Sequence, residues 1–140
     1  MQGGDLSMRE IKFRAWHFKL NRMFSAEEMT EDQMALLPNG KFANINSIST
    51  QLSQIFQHDV MLPLQFTGIL DSRGKEIYEG DILKFKEWSW SKKQGNIYKD
   101  TFVKVVWFHA GFILEGSKFE WDFEKGEVVG NIYENPELIK

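Results

Sequence analysis

The chain has 140 residues, with 17 Lys and Arg residues against 20 Asp and Glu residues, and it contains no cysteine. This length is typical of one domain and is sufficient to build a hydrophobic core without disulfide bonds or structural zinc. The absence of cysteine excludes thiolate metal sites, iron–sulfur ligation and cysteine nucleophiles. Aromatic residues make up 14% of the chain, which favours β structure.

No apolar run approaches the roughly 18 residues that a membrane-spanning helix needs, so the sequence predicts a cytoplasmic protein without membrane contact. Residues 1–7 show neither the basic nor the apolar region of a secretory signal. Because Met8 directly precedes the first patterned segment, we expect residues 1–7 to be a disordered extension. Residues 8–138 are then expected to form a single domain, with an N-terminal α+β part at 8–62 and a C-terminal β-barrel part at 63–138.

The N-terminal part begins with apolar and charged residues that alternate, which predicts a strand over 11–16 and a return strand over 22–24. Ser25 stands three residues before Glu28, the pattern of a capping box, and predicts a helix over 26–36.

The following segment, residues 41–62, fits either a helix or a strand. Within it, the spacing of apolar residues indicates a short helix over 50–57.

The C-terminal part shows short runs of β-branched and aromatic residues, each bounded by turn residues. They predict five strands, at about 64–69, 82–85, 101–108, 112–114 and 127–132. Pro136 predicts a final helical turn. The predicted fold class is mainly β (α+β), with an N-terminal β-hairpin and helix packed on a C-terminal, partly open SH3-like β-barrel. The expected core positions of the barrel are Ile77, Tyr78, Ile82, Phe85, Val105, Trp107, Val129 and Ile132.

Catalytic signals are weak throughout the chain. Its three histidines, His17, His58 and His109, are far apart in the sequence, and no zinc-binding, nucleophile or phosphate-loop motif occurs. We therefore predict no catalytic residue, no metal site and no cofactor, and a non-enzymatic role is the favoured interpretation.

One enzymatic alternative remains open. Glu120, Asp122 and Glu124 alternate with aromatic residues, so a strand would place the three carboxylates on one face. Such a face could bind Mg²⁺ or Mn²⁺ in a metal-dependent hydrolase. The competing interpretation is an ordinary solvated face, and it is the favoured one.

The strongest binding signal lies at residues 84–99, where lysines and aromatic residues are interleaved. Its candidate contact residues are Trp88, Trp90, Lys92, Lys93 and Tyr98. Such a patch could hold single-stranded nucleic acid by stacking and phosphate attraction. The alternative is a long β-hairpin whose tryptophans pack on the barrel or on a neighbouring subunit.

Charge is unevenly distributed along the chain. Residues 27–32 carry four acids, residues 84–104 carry six lysines against two acids, and residues 115–137 carry seven acids against two lysines. The opposite signs of 84–104 and 115–137 predict head-to-tail self-association, with Trp88 and Trp90 as apolar anchors.

Four sequence blocks resemble the YopX-like family of small proteins encoded by bacteriophages and prophages. The blocks are MREIKFRAW at 8–16, QFTG at 65–68, GKEIYEGDI at 74–82 and VGNIYENPEL at 129–138. One departure is His17, where the family usually has Asp. The resemblance covers residues 8–138, although its middle, residues 25–60, is variable.

The resemblance implies a compact β-rich fold, a phage origin and action inside the bacterial host. It implies no mechanism, and no catalytic residue can be transferred from it. Since net charge is −3, a dedicated duplex-DNA binder is not expected. A protein partner from host or phage is the favoured interpretation, and single-stranded nucleic acid is the alternative.

Overall fold

The computed structural model describes residues 9–45, 57–58, 60–116 and 122–139. The protein divides into two compact units, Met1–Gly68 and Ile69–Lys140. The predicted extension at 1–7 lies outside the described residues, and so does the predicted short helix at 50–57 apart from its last residue. No helix in the described part of the chain is long and apolar enough to cross a membrane.

The first unit consists of short antiparallel strands and one helix. In chain order they are β1 (Phe13–His17), β2 (Arg22–Phe24), α1 (Ala26–Glu31), β3 (Met34–Leu36), β4 (Phe42–Asn44), β5 (Gln57–His58) and β6 (Met61–Leu70). β1 pairs with β2 on one side and with β6 on the other, while β3, β4 and β5 form a small separate sheet. The predicted N-terminal hairpin is thus confirmed.

The helix is shorter than predicted. Ser25 caps it as expected, because its Oγ accepts a hydrogen bond from the Glu28 N–H at 3.1 Å. However, the helix ends at Glu31, and Met34–Leu36 forms β3 instead of continuing it. The break lies at Gln33, which has a left-handed φ of 56° and therefore cannot extend a right-handed helix.

The core of the first unit is built from side chains of β1, α1, β4 and β6. Ala15, Met29, Phe42 and Met61 are buried, and partly buried apolar side chains from β2 and β3 pack against them. α1 contributes Met29 to this core, and Glu27 and Glu31 of the same helix are exposed.

The second unit is built around long antiparallel strands. Its elements are β7 (Glu76–Tyr78), β8 (Asp81–Ser91), β9 (Gly95–Phe108), β10 (Gly111–Glu115), a 3-10 helix at Phe123–Lys125, β11 (Glu127–Asn131) and a final 3-10 helix at Pro136–Ile139. The main sheet of this unit has the order β10-β9-β8-β11. The mainly-β class and the final helical turn are confirmed.

Of the eight predicted core positions of the second unit, five are buried and three are not, namely Trp107, Val129 and Ile132. Ile77, Leu83, Phe85, Val103, Val105 and Val128 form the cluster. Trp107 is 49% exposed and is not a core residue. Val128 is buried in place of Val129, because the register of β11 on β8 shifts between Val128 and Gly130. Such a bulge reverses the alternation of side chains along the strand.

Candidate functional site

The candidate site lies on a two-stranded extension of β8 and β9, which we call the arm and define as residues 86–100. The two strands pair without interruption from Ile82↔Lys104 to Ser91↔Gly95. A three-residue loop, Lys92–Gln94, joins them, and Gly95 follows it with a φ of 70°. This is a common hairpin geometry, in which glycine accepts the left-handed conformation after the loop.

The arm has no core of its own. Every one of its residues is described, and none of them is buried. The buried residues of β8 and β9 end at Phe85 and Val103, where the two strands leave the core of the second unit. A two-stranded ribbon outside a core is only marginally stable in water, which makes the arm a candidate for stabilisation by a partner.

Three aromatic side chains share one face of the arm. Trp88 and Trp90 are two residues apart on β8, and Tyr98 on β9 lies directly opposite Trp88. Directly opposed residues of an antiparallel pair project to the same side of the sheet. Their exposed fractions are 58% for Trp88, 59% for Trp90 and 67% for Tyr98. The structure therefore brings together the three predicted aromatic contact residues.

The charges of the arm are paired across the strands. Lys86 lies opposite Asp100 on the aromatic face, and Glu87 lies opposite Lys99 on the other face. Cross-strand pairs of opposite charge are mildly stabilising, and they cancel the net charge of each face. The excess positive charge of the arm thus comes from the loop.

The two predicted lysine contacts occupy this loop, and not the aromatic face. Lys92 and Lys93 are both exposed at the tip of the arm. The Lys93 N–H donates a hydrogen bond to the Ser91 Oγ at 3.3 Å, which helps to define the loop. The lysines are therefore placed at the end of the aromatic face and not beside each indole ring.

Both edges of the arm are open in the described part of the chain. β10 pairs with β9 no further than Lys104, and β11 pairs with β8 no further than Lys84. Beyond these residues, no third described strand continues the sheet. The backbone donors and acceptors along these edges face solvent.

The acidic alternative does not form a strand face. Asp122 precedes the 3-10 helix Phe123–Lys125, which contains Glu124, and Glu120 lies outside the described residues. Because a 3-10 helix replaces the strand alternation, the arrangement predicted for Asp122 and Glu124 is wrong. Asp122 instead pairs with the Lys125 Nζ at 3.1 Å.

A cavity of about 540 Å³ near the base of the arm also contains Asp122. Its polar lining includes three lysines and two acids, namely Lys84, Lys86, Lys125, Asp122 and Glu127. The lysine majority opposes the binding of a divalent cation. Among the described residues, no group of three or more His, Asp or Glu side chains is placed to hold a metal.

The described histidines take part in local structure. The Nδ1 atom of His17, at the end of β1, accepts a hydrogen bond from the Leu20 N–H at 3.1 Å. The ring of His109, in the turn after β9, stacks edge-on against Phe108. The side chain of His58 lies outside the described residues. The two described rings thus belong to turns and not to a ligand set.

A comparison with protein families gives the family model described as "YopX protein", which matches residues 12–140. This chain belongs to the YopX family. The match includes the β8–β9 arm and the blocks at 65–68, 74–82 and 129–138, and it begins within the block at 8–16. No curated protein matches the chain.

A comparison with solved structures shows similarity to the crystal structure of protein EF1440 from Enterococcus faecalis. The TM-score is 0.64 at 20% sequence identity, and the alignment covers 95% of this chain and 100% of that chain. At this identity the similarity establishes a common fold. The family is therefore shown by the family model, and the similarity to the solved structure shows the fold.

Proposed function

We propose that this YopX-family chain is a non-enzymatic binding module and that the aromatic face of its arm contacts a protein partner. The observation that carries the proposal is the exposure of Trp88, Trp90 and Tyr98 on one face of a ribbon without a buried residue. Trp and Tyr are the residue types most enriched among those that dominate protein-binding energy. Each brings a large apolar surface at a small cost in side-chain entropy.

The charge pattern favours a protein over a nucleic acid. A surface that tracks a phosphate backbone needs an excess of positive charge along its length. On the arm, Asp100 lies opposite Lys86 and Glu87 lies opposite Lys99. Because only the loop carries uncompensated lysines, the aromatic face itself offers little attraction to successive phosphates.

Single-stranded nucleic acid remains the second candidate, since Lys92 and Lys93 lie at the end of the aromatic face. A short strand could stack its bases on the two indole rings while the loop contacts a phosphate. Stacking on aromatic side chains contributes about 1–3 kcal/mol per base.

The test compares the wild-type chain with Trp88→Ala/Trp90→Ala and with the control Phe18→Ala. Phe18 is a matched control because it is 54% exposed and lies in the first unit, outside the arm. Each chain is used to capture proteins from nuclease-treated lysate of the phage-infected host. The captured protein is then identified, purified and titrated against each chain. We expect it to bind the wild type and the control and to lose at least about tenfold in affinity for the double variant.

A parallel titration with a fluorescent single-stranded oligonucleotide separates the two candidates. Affinity that falls steeply between about 50 and 200 mM salt and disappears in the double variant would replace the protein proposal with the nucleic-acid one. Binding of the purified protein should instead change little over this range of salt.

The biological setting is part of the same proposal. We place the chain in the cytoplasm of a bacterial host, as a product of a phage or prophage, acting on a host or phage protein. The SH3-like character of the barrel and the assembly into a homo-oligomer stay predictions. The metal-dependent hydrolase is the least supported alternative, and a thermal shift with Mg²⁺ or Mn²⁺ that disappears in Asp122→Ala would revive it.

A further inference from the structure

The first unit carries an open groove with an apolar floor. Its volume is about 630 Å³, and it lies between α1, the small β3–β4 sheet and the segment that leads into β1. Met29 and Phe42 form its buried floor, while Ile11 at its edge is 65% exposed. The volume falls within the range of about 300–1,000 Å³ that is typical of ligand pockets. The groove can therefore receive more than one large side chain.

Acidic residues surround this floor. Glu10, Glu27 and Glu31 line the groove together with one lysine, Lys12. The Lys12 Nζ is shared between Glu10 at 3.6 Å and Glu27 at 3.7 Å. Three carboxylates against one ammonium group leave a net charge of −2. The groove thus suits an apolar group that is accompanied by positive charge.

The tip of the arm has this chemistry. It joins the indole ring of Trp90 to the two loop cations, Lys92 and Lys93, within four consecutive positions. We propose that the arm of one copy inserts its tip into the groove of a second copy. Trp90 would cover the apolar floor, and the loop lysines would face Glu27 and Glu31. This inference rests on the proposed binding role of the arm and names a second copy of this chain as its partner.

The groove is a better counterpart for the arm than the acidic block at 115–137. In that block, Glu115 pairs with Lys104 at 2.8 Å, Asp122 pairs with Lys125 at 3.1 Å, and Glu127 pairs with Arg73 at 3.0 Å and with Lys84 at 3.7 Å. These carboxylates are already compensated within the same unit. The groove combines an acidic excess with an exposed apolar surface, which the block does not offer.

The contact would be heterologous, because the arm and the groove are different surfaces. Each copy then has one arm and one groove available for contact. When the contact is repeated from copy to copy, the assembly closes into a ring or continues as a filament. A variant without a working arm still has its groove, and a variant without a working groove still has its arm. This asymmetry permits a complementation test.

The test uses two full-length variants, Trp88→Ala/Trp90→Ala for the arm and Glu27→Lys/Glu31→Lys for the groove, with folding of each verified by circular dichroism. Sedimentation velocity at tens of micromolar protein should show association of the wild type and a monomer for each variant alone. A 1:1 mixture of the two variants should give a complex of two chains, since one intact arm and one intact groove remain.

A charge-swap experiment keeps the proposal testable if the tryptophan variant is poorly folded. Lys92→Glu/Lys93→Glu should be monomeric alone, and its mixture with Glu27→Lys/Glu31→Lys should associate like the wild type, because every contact between an arm of one variant and a groove of the other brings opposite charges together. The control Glu124→Lys/Glu137→Lys reverses exposed acids within 115–137, and it should associate like the wild type.

Three results would overturn the inference. The first is a wild-type chain that stays monomeric. The second is a groove variant that associates as strongly as the wild type, which would indicate direct contact between two arms. The third is association that is lost only in the control with substitutions in 115–137. The proposed function fails separately. The proposed function is supported if the wild type is monomeric and the tryptophan variant no longer binds a captured protein other than a second copy of the chain. The proposed function is contradicted if the tryptophan variant binds every partner as the wild type does.

Discussion

The side-chain carboxylate of Asp71 accepts a hydrogen bond from the backbone N–H of Val128, 57 positions later in the chain, at 2.8 Å. The other carboxylate oxygen accepts from the N–H groups of Arg73 and Lys75, each at 2.8 Å. One buried side chain thus shapes the turn before β7 and joins it to β11. Residues 71–75 and 127–131 are thereby held together without any contribution from the arm.

Replacement of Asp71 by Ala should lower the free energy of unfolding by about 2–3 kcal/mol, because three backbone N–H groups lose a charged acceptor in a buried position. Urea denaturation monitored by circular dichroism measures this change. Asp122→Ala is the matched control, since Asp122 is exposed and its ion pair with Lys125 should contribute less than about 1 kcal/mol. Equal effects of the two substitutions would contradict the role assigned to Asp71.

The contribution of Asp71 should also depend on pH. Burial raises the pKa of Asp71, but the backbone hydrogen bonds from Val128, Lys75 and Arg73, with the charge of Lys75, outweigh burial and hold the pKa below its ordinary value. A depressed pKa stabilises the fold above the unfolded-state pKa of about 3.9, and this stability is lost as pH falls through the folded-state pKa.

The measurement is the difference in unfolding free energy between the wild type and Asp71→Asn, determined from pH 7 to pH 2. We expect a constant difference down to about pH 4 and a decrease below it. A difference that grows on acidification would indicate that the pKa is raised instead.

A methyl group at position 126 should disrupt the core of the second unit. A Cβ atom built on Gly126 would lie 2.6 Å from Phe85 Cζ and 2.9 Å from Leu83 Cδ2. Gly126→Ala should therefore lower the free energy of unfolding by about 1–3 kcal/mol through overpacking. Gly111→Ala is the control, because a Cβ at Gly111 meets no atom within 4 Å. Thermal denaturation of both variants measures the two changes in stability. A Gly126→Ala protein as stable as the wild type would show that Phe85 and Leu83 move aside with little loss of stability.

The backbone amides of the arm should exchange with solvent much faster than those at the base of the same strands. Residues 86–100 contain no buried side chain, whereas Leu83, Phe85, Val103 and Val105 belong to the core. Local opening of the arm then requires little disruption of packing. Hydrogen exchange read by mass spectrometry should show protection that decreases outward from Phe85. If the arm and the groove of two copies contact each other, protection of the arm should rise with protein concentration in the wild type. The same rise should be absent in Glu27→Lys/Glu31→Lys.

Local patterns in the sequence predicted most individual elements of the fold. The period-two alternation at 11–16 predicted β1, the β-branched and aromatic run at 101–108 predicted the second half of β9, and the Ser25 cap predicted the start of α1. The end of α1 was wrong because the apolar spacing of residues 34–37 fits either a helix or a strand. What decides is the pairing of β3 with β4, a contact between segments that the local pattern does not contain.

The sequence predicted which residues belong to the site, but only part of their arrangement. The spacing of Trp88 and Trp90 already indicated a shared face, and the structure confirms that face and adds Tyr98 to it. The roles of Asp100 and Lys99 were missed. The sequence did contain a signal for these roles, because charged residues lie at equal distances on the two sides of the loop Lys92–Gln94. In a hairpin, this spacing places Lys99 opposite Glu87 and Asp100 opposite Lys86.

The groove was missed for a different reason. Its floor and rim come from α1, β4 and the residues before β1, which are separated along the chain. The acidic run at 27–32 was visible as a block of charge. The acidic run marks a groove only because apolar side chains lie beside it. Ile11 and Phe42 are distant from this run in the sequence, and only tertiary packing places them next to it.

The open edges of the arm have a consequence for colloidal behaviour. A flat ribbon with bare edges and large aromatic side chains is a template for indiscriminate strand addition, and aggregation would compete with any specific contact. Charged residues occupy two successive positions on each strand, Lys86 and Glu87 on β8 and Lys99 and Asp100 on β9. A strand added to either edge would have to place its own side chains beside these charged groups. The same four charges that leave each face of the arm without a net charge therefore act as gatekeepers, which limit non-specific association of the aromatic surface.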